Sequence, residues 1–287
     1  MKTVGVIGGS GIYEIEQITD LEYLKVDTPW GRPSDELVSG SLGGARVYFL
    51  PRHGRGHKLM PSEINYRANI YALKKVGVDW VISVSAVGSM KENLAPGEVV
   101  IPDQFYDHTK QRVSTFFGDG IVAHVSMADP VCAVLSEVLY EASLRAGATA
   151  HKGGTYLCIE GPQFSSRAES FIYRKWGVDV IGMTNMPEAK LAREAEMGYA
   201  TLALCTDYDC WHEGHHDVSV EQVVETLMKN AVLSKRIIEE AIPLIPEGID
   251  DRCVWANALK DAIITSKDAI PAESIDRVGL LVGKYLK

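Results

Sequence analysis

Seven short apolar runs, each followed by a polar or glycine-rich break, constrain this chain more than any other feature. They are Val4–Ile7, Val47–Leu50, Trp80–Val84, Val99–Ile101, Tyr156–Ile159, Val178–Ile181 and Thr201–Cys205. Several are continuous rather than alternating, the pattern of strands buried on both faces. Amphipathic helices fall between them with readable ends. Ser62 precedes a helical run from Ile64 to Lys75 that Gly77 stops. Ser166 and Glu169 have capping-box spacing and open a helix ending near Gly177. Pro187 fits a first helical turn, and that helix stops at Gly198. Ser219 and Gln222 form a second capping box, opening a long helix to about Ile242. Strands alternating with helices predict an α/β domain with a largely parallel or mixed sheet.

The chain's 287 residues suffice for a sizeable core, and 46% hydrophobic composition argues against disorder. A net charge of −9 makes nucleic acid a poor partner, since gripping a phosphate backbone needs a basic face. No apolar run is long enough to span a membrane, and the glycine-broken start is the wrong shape for a signal peptide. Five cysteines without a CxxC suit a reducing compartment, so a cytoplasmic protein is expected.

In such folds ligands bind beyond the carboxyl ends of the strands. The breaks that succeed the apolar runs are therefore informative: Gly8–Gly11, Arg52-His53-Gly54, Ser85–Ser89, Glu160-Gly161-Pro162, Gly182-Met183-Thr184 and Thr206–Asp209. Glycines expose backbone N–H groups, and Ser, Thr and Arg donate to phosphate. Together the segments favour an anion site, although each alone reads better as a turn. Gly9-Ser10-Gly11 is a poor dinucleotide fingerprint, because Glu14 stands where the third glycine belongs. His212–His216 matches HExxH, but Gly214 interrupts it and the helix signal begins only at Ser219. It reads as a polar loop, and no metal is expected. Trp211, Tyr13 and Tyr23 read as core or rim packing. Phe164 stands at the mouth of the presumed site, where an aromatic face suits either packing or a flat heterocycle. Asp207 and Asp209 end a strand at the same rim, as a cap, a salt-bridge set, a ligand reader or a proton donor.

Assembled, these segments resemble the 5′-methylthioadenosine phosphorylases of the purine nucleoside phosphorylase superfamily. The likeness is carried by Val6–Gly11, Asp27–Gly31, Arg52–Arg55, Met60–Ser62, Asn65–Asn69, Ala86–Ser89, Glu160–Ser170, Gly182–Thr184 with Pro187-Glu188, and Thr206–Trp211. It runs from about residue 3 to 245. The resemblance implies one α/β domain over 1–245 with a mixed, barrel-like sheet flanked by helices. Residues 246–287 would form a helical extension, helical at about 251–265 and 271–284, packed on the body or a neighbouring subunit. Ile275, Val278, Leu281 and Val282 would form its apolar stripe.

The reaction implied is phosphorolysis of methylthioadenosine to adenine and 5-methylthioribose 1-phosphate. Inorganic phosphate is the co-substrate, and no cofactor is needed. By position, Ser10, Arg52, His53, Ser85, Ala86 and Thr184 would hold phosphate. Met183 would lie along the ribose, and Phe164 would pack on the purine with Ser165 close by. Asp207 would be the catalytic acid. It and Asp209, with Tyr208 between them, would read N7 and the 6-amino group. Val220, Val223 and Val224 would line the methylthio pocket, approached by His124 from a neighbouring subunit. Trimers, and in some members hexamers, are implied, and residues 211–217 suggest a segment that closes over the nucleoside. The alternative reading is a phosphorylase of 6-oxopurine nucleosides or methylthioinosine.

Overall fold

The computed structural model describes residues 1–9, 12, 14–212, 220–250 and 252–286; at 220–225, 227 and 228 the backbone alone is described. Three parallel strands form the spine: β1 (Thr3–Gly8), β5 (Trp80–Ser89) and β11 (Gly198–Asp207). Beyond β1 the sheet continues through β4 (Ala45–Pro51), β3 (Leu37–Leu42) and the exposed edge strand β2 (Thr19–Leu24).

The other half curls. β6 (Val99–Ile101) and β7 (Gln104–His108) pair in parallel with β8 (Ala150–Lys152) and β9 (Thr155–Ile159), respectively. Val99 faces Ala150 and Gln104 faces Thr155, so a single register of 51 residues holds across the bend between them. At that bend Asp103 accepts from the Gly154 N–H at 3.0 Å. β10 (Val180–Gly182) then joins β9 in parallel and returns antiparallel to the end of β5, while β11 joins β5 to β6. The circuit is the mixed, barrel-like sheet expected.

Strand alternation sorts the core into two layers. Trp80, Ile82, Val84, Ala200, Leu202 and Leu204 face α2 (Ala133–Arg145) and α5 (Val220–Leu244). Val81, Val87, Tyr199 and Ala203 belong to the layer under α1 (Tyr66–Lys75) and α4 (Asn185–Glu194). The remaining long helices are α3 (Arg167–Lys175), opened by the expected Ser166–Glu169 capping box, and α6 (Ala272–Leu286).

Local expectations are corrected in three places. α1 is capped by the Asn65 side chain, which accepts from the Ala68 N–H, so it starts after Ser62 and Ile64. Residues near 251–265 form a short 3-10 turn, Val254–Asn257, in place of a helix. Of the α6 stripe, Val278, Leu281 and Val282 are buried, whereas Ile275 is exposed. The tail is tied down by Glu196, which accepts from the Leu259 N–H, the Tyr285 hydroxyl and Lys284. Among the described residues no helix is long and apolar enough to cross a membrane.

Candidate functional site

Register brings the first group of side chains together. Along the antiparallel pair, Val180 faces Ser89 and Ile181 faces Gly88. Continued past β10, that register sets Met183 opposite Ala86 and Thr184 opposite Ser85. The hydroxyls of Thr184 and Ser85 accordingly lie 3.3 Å apart, and the Tyr156 hydroxyl lies 3.0 Å from Ser85 Oγ. Gly182 makes room for that tyrosine, because a Cβ there would collide with its hydroxyl. Thr184 holds the N-cap position of α4 without capping it. Ala86 is exposed within a strand otherwise buried, so β5 opens to solvent at this point.

Arg52 lies beneath this group, 2% exposed. Its Nε and Nη2 donate to Glu188 at 2.9 and 3.0 Å, Nη2 also to Ser83 Oγ at 2.7 Å, and Nη1 to the Val84 carbonyl at 2.9 Å. Four of the five guanidinium hydrogens are thereby engaged, and one on Nη1 remains. Glu188 is fully buried and also accepts from Ser83 Oγ and the Tyr199 hydroxyl. His53 donates from Nδ1 to the Leu59 carbonyl at 2.8 Å and stacks on His57. Burial, assisted by the nearby Arg52 charge and opposed by the Leu59 bond, pushes its pKa down to about 4. At neutral pH the ring is uncharged, with Nε2 as an acceptor.

The second group stands at the other end of the same stretch of β5. Asp207 pairs with Gly88 across the β11–β5 ladder. Only a glycine fits there, since a Cβ would lie 2.9 Å from Asp207 Oδ1. Asp207 accepts from the Thr206 hydroxyl and the Asp209 N–H, each at 2.7 Å. Asp209 sits at φ 53°, which turns its side chain inward to 7% exposure. Among the described residues its buried Oδ2 meets no donor at ordinary hydrogen-bond geometry, but the Ser170 and Ser165 hydroxyls lie close enough to lower its pKa. Burial raises both carboxyl pKa values, and the Asp207 charge pushes Asp209 further in that direction.

The break after β9 supplies the lip. Phe164 is half exposed, and Met183 Sδ fills the space a side chain on Gly161 would need, 2.5 Å from its Cβ position. Tyr208 stacks on His212 and meets Trp211 edge-on. Trp211 is buried, donates to the Ser89 carbonyl at 2.8 Å and lies under the Arg174 guanidinium, as packing predicts. Tyr23 is exposed on β2, beneath Arg55.

Not every expected residue joins this cluster. His124 is exposed and its backbone N–H donates to Ala262, on the C-terminal tail. Ser10, Tyr13 and residues 213–219, which include most of the HExxH match and of the expected closing segment, lie outside the described residues, as do the side chains of Val220, Val223 and Val224. Three residues that sequence reasoning missed surround the site: Glu188, Tyr156 and Arg112, whose guanidinium donates to the Met183 and Glu160 carbonyls. Glu188 was visible only as part of a matching stretch. A buried tyrosine in an apolar run and a lone arginine in a polar segment carry no signal of their own.

The phosphorylase superfamily model matches residues 3–243. S-methyl-5′-thioadenosine phosphorylase of Geobacter sulfurreducens is 58% identical over 286 residues, 99% of each chain. The protein of that name from Koribacter versatilis is 55% identical, covering 98% of this chain and 96% of its own. Among solved structures, a methylthioadenosine phosphorylase from an Antarctic soil metagenomic library superposes with a TM-score of 0.92 at 52% identity, covering 98% of each chain. Methylthioadenosine phosphorylase from Schistosoma mansoni in complex with adenine superposes with a TM-score of 0.85 at 36% identity, covering 91% of this chain and 99% of that one. The chain belongs to the phosphorylase superfamily.

Proposed function

We propose that this member of the phosphorylase superfamily cleaves S-methyl-5′-thioadenosine with inorganic phosphate, giving adenine and 5-methylthioribose 1-phosphate. The observation that carries the reading is the spacing along β5. Ser85, beside Thr184 and above Arg52, lies three residues from Gly88, which faces Asp207. At about 3.3 Å per residue the two ends stand roughly 10 Å apart, enough for a ribose with phosphate on one side and a purine on the other.

The chemistry follows from charge. Breaking the bond between the anomeric carbon and purine N9 builds positive charge on the sugar and negative charge on the base. A phosphate dianion held by Ser85, Thr184, the Ala86 and His53 backbone and the free Nη1 hydrogen of Arg52 stabilises the sugar, then adds to it. Holding both reactants in line also removes much of the entropic barrier. Asp207, its pKa raised by burial, supplies or shares a proton at N7. Asp209 Oδ2, buried beside the Ser165 and Ser170 hydroxyls, accepts from the 6-amino group. Phe164 covers the purine, Met183 lies along the ribose, and Val220, Val223 and Val224, as the resemblance implies, take the methylthio group. Inorganic phosphate is the only co-substrate, and no metal or organic cofactor takes part.

The protein works in the cytoplasm, a reading supported by five cysteines that are all free. It assembles as a trimer. Support comes from an apolar surface of Tyr106, Phe171, Ile172 and Trp176, all more than a third exposed. In such an assembly the exposed His124 would reach a neighbour's methylthio pocket. Adenine release from methylthioadenosine, measured with and without phosphate, tests the activity. Light scattering tests the assembly.

A further inference from the structure

Arg112 lies on the segment after β7, and its side chain is 1% exposed. The guanidinium reaches two separate breaks at once. From Nη1 it donates to the Met183 and Met186 carbonyls at 2.6 and 2.7 Å, on either side of Thr184. From Nη2 it donates to the Glu160 carbonyl at 2.7 Å and the Ile159 carbonyl at 3.4 Å, at the root of the loop that carries Phe164 and Ser165. Nε points at Glu160 Oε1 and Ser62 Oγ, both at 3.4 Å, and Nη1 meets the Tyr66 hydroxyl at 3.2 Å. Glu160 closes the loop by accepting from the backbone N–H groups of Lys110 and Gln111, next to Arg112 itself.

The Met183 and Glu160 carbonyls lie outside the strands and helices, and a rigid planar fork fixes their separation as a point charge cannot. The two breaks are the walls of the proposed site: one holds the ribose and phosphate, the other the purine. We propose that Arg112 is a positioning residue that sets the distance between these walls, and hence the alignment of phosphate with the bond to be broken. It touches no substrate itself. This rests on the proposed reaction. A wild-type protein that cleaves no methylthioadenosine fails that reading, whereas Arg112 is judged by the ratio of variant to wild type on whichever nucleoside the wild type cleaves.

The test compares Arg112→Lys and Arg112→Ala with wild type, with turnover expressed per titrated active site and melting followed by circular dichroism. Misplacement by about 1 Å is expected to lower kcat of Arg112→Lys about 100-fold, with the phosphate KM changed less than about 3-fold. Millimolar guanidinium should restore Arg112→Ala at least about 10-fold, and methylammonium should not, because the planar fork rather than charge is missing. Should either variant fail to fold, Glu160→Gln keeps the carbonyl contacts and is expected to lower kcat about 5-fold at an unchanged melting temperature. Turnover per site within about 3-fold of wild type in folded Arg112→Lys, or unchanged turnover in Glu160→Gln, overturns the proposal.

Discussion

Arg52 and Glu188 form a two-pronged ion pair with both side chains buried, Nε to Oε2 at 2.9 Å and Nη2 to Oε1 at 3.0 Å. The pair ties the turn after β4 to α4, which begins next to Thr184. The cation beneath the proposed phosphate site is therefore held in place before any ligand arrives. It is raised further into its charged form by Glu188, against the opposing effect of burial.

Removing one partner leaves the other charge buried. Arg52→Ala and Glu188→Ala should each lower unfolding stability by about 3–5 kcal/mol, and the double variant by less than their sum. Urea unfolding of all four proteins checks this. Variants that remain folded should show a larger rise in phosphate KM than in nucleoside KM for Arg52→Ala; equal rises would assign Arg52 to the scaffold alone.

Asp207→Asn should fold normally. The amide oxygen keeps the Asp209 N–H, and Thr206 can turn its hydrogen to the Val87 carbonyl, 3.2 Å away. Methylthioadenosine turnover should fall at least about 100-fold if Asp207 is the proposed proton source at N7. Activity on 6-oxopurine nucleosides should rise relative to it, since an amide can donate to the oxo group. Steady-state rates on both substrates decide the matter; a nearly unchanged methylthioadenosine rate would remove Asp207 from the chemistry.

Glu194 accepts from the Thr115 hydroxyl and the Phe116 N–H, each at 2.7 Å, in a setting where burial raises its pKa to about 7. The native state holds this proton more tightly than the unfolded chain does. The resulting stability is complete below about pH 4.5 and is lost as pH rises through 7, a change of about 3 kcal/mol. The neutral Glu194→Gln variant should lack this component. His53 titrates in the opposite sense over part of the range, so the useful quantity is the difference between variant and wild type from pH 5 to 8. A difference that does not vary with pH would contradict the assignment.

Trp255 anchors the C-terminal tail. It is 2% exposed, meets Trp80 edge-on at 5.3 Å and donates to Cys132 Sγ at 3.2 Å. Gly198 lacks the Cβ that would stand 2.9 Å from its ring. Trp255→Ala should cost about 3–5 kcal/mol in urea unfolding. Truncation after Pro246 should lower the melting temperature as well; no change in either would mean that the tail is incidental to the fold.

The apolar runs located the spine of the sheet because burial on both faces leaves a continuous hydrophobic record. Ser85–Ser89 left none: Ser, Ala and Gly have little strand preference, and their extended form is imposed by pairing with β11 and β10. β2, β3 and β7, with exposed edges or Ser and Gly in place of apolar alternation, were silent for similar reasons. The site's polar residues were legible as a rim. Sequence could not distinguish those that face a ligand from those that face each other. Arg52 reads as a ligand donor, yet four of its five hydrogens are committed within the protein, two of them to Glu188, a residue 136 positions away. Arg112 is invisible until the fold brings two loops to it.

The purine preference tests the central claim most directly. Adenine offers a donor at the 6 position and hypoxanthine an acceptor, and Asp209 Oδ2 is a buried acceptor with no hydrogen bond of ordinary geometry among the described residues. A mispaired buried group costs about 1–3 kcal/mol, and more when charged. Initial rates on methylthioadenosine and methylthioinosine, each with and without phosphate, should show strict phosphate dependence. They should also show a kcat/KM ratio of at least about 100 in favour of methylthioadenosine, equivalent to about 2.7 kcal/mol. Equal or faster cleavage of methylthioinosine, or adenine release that ignores phosphate, would contradict the account.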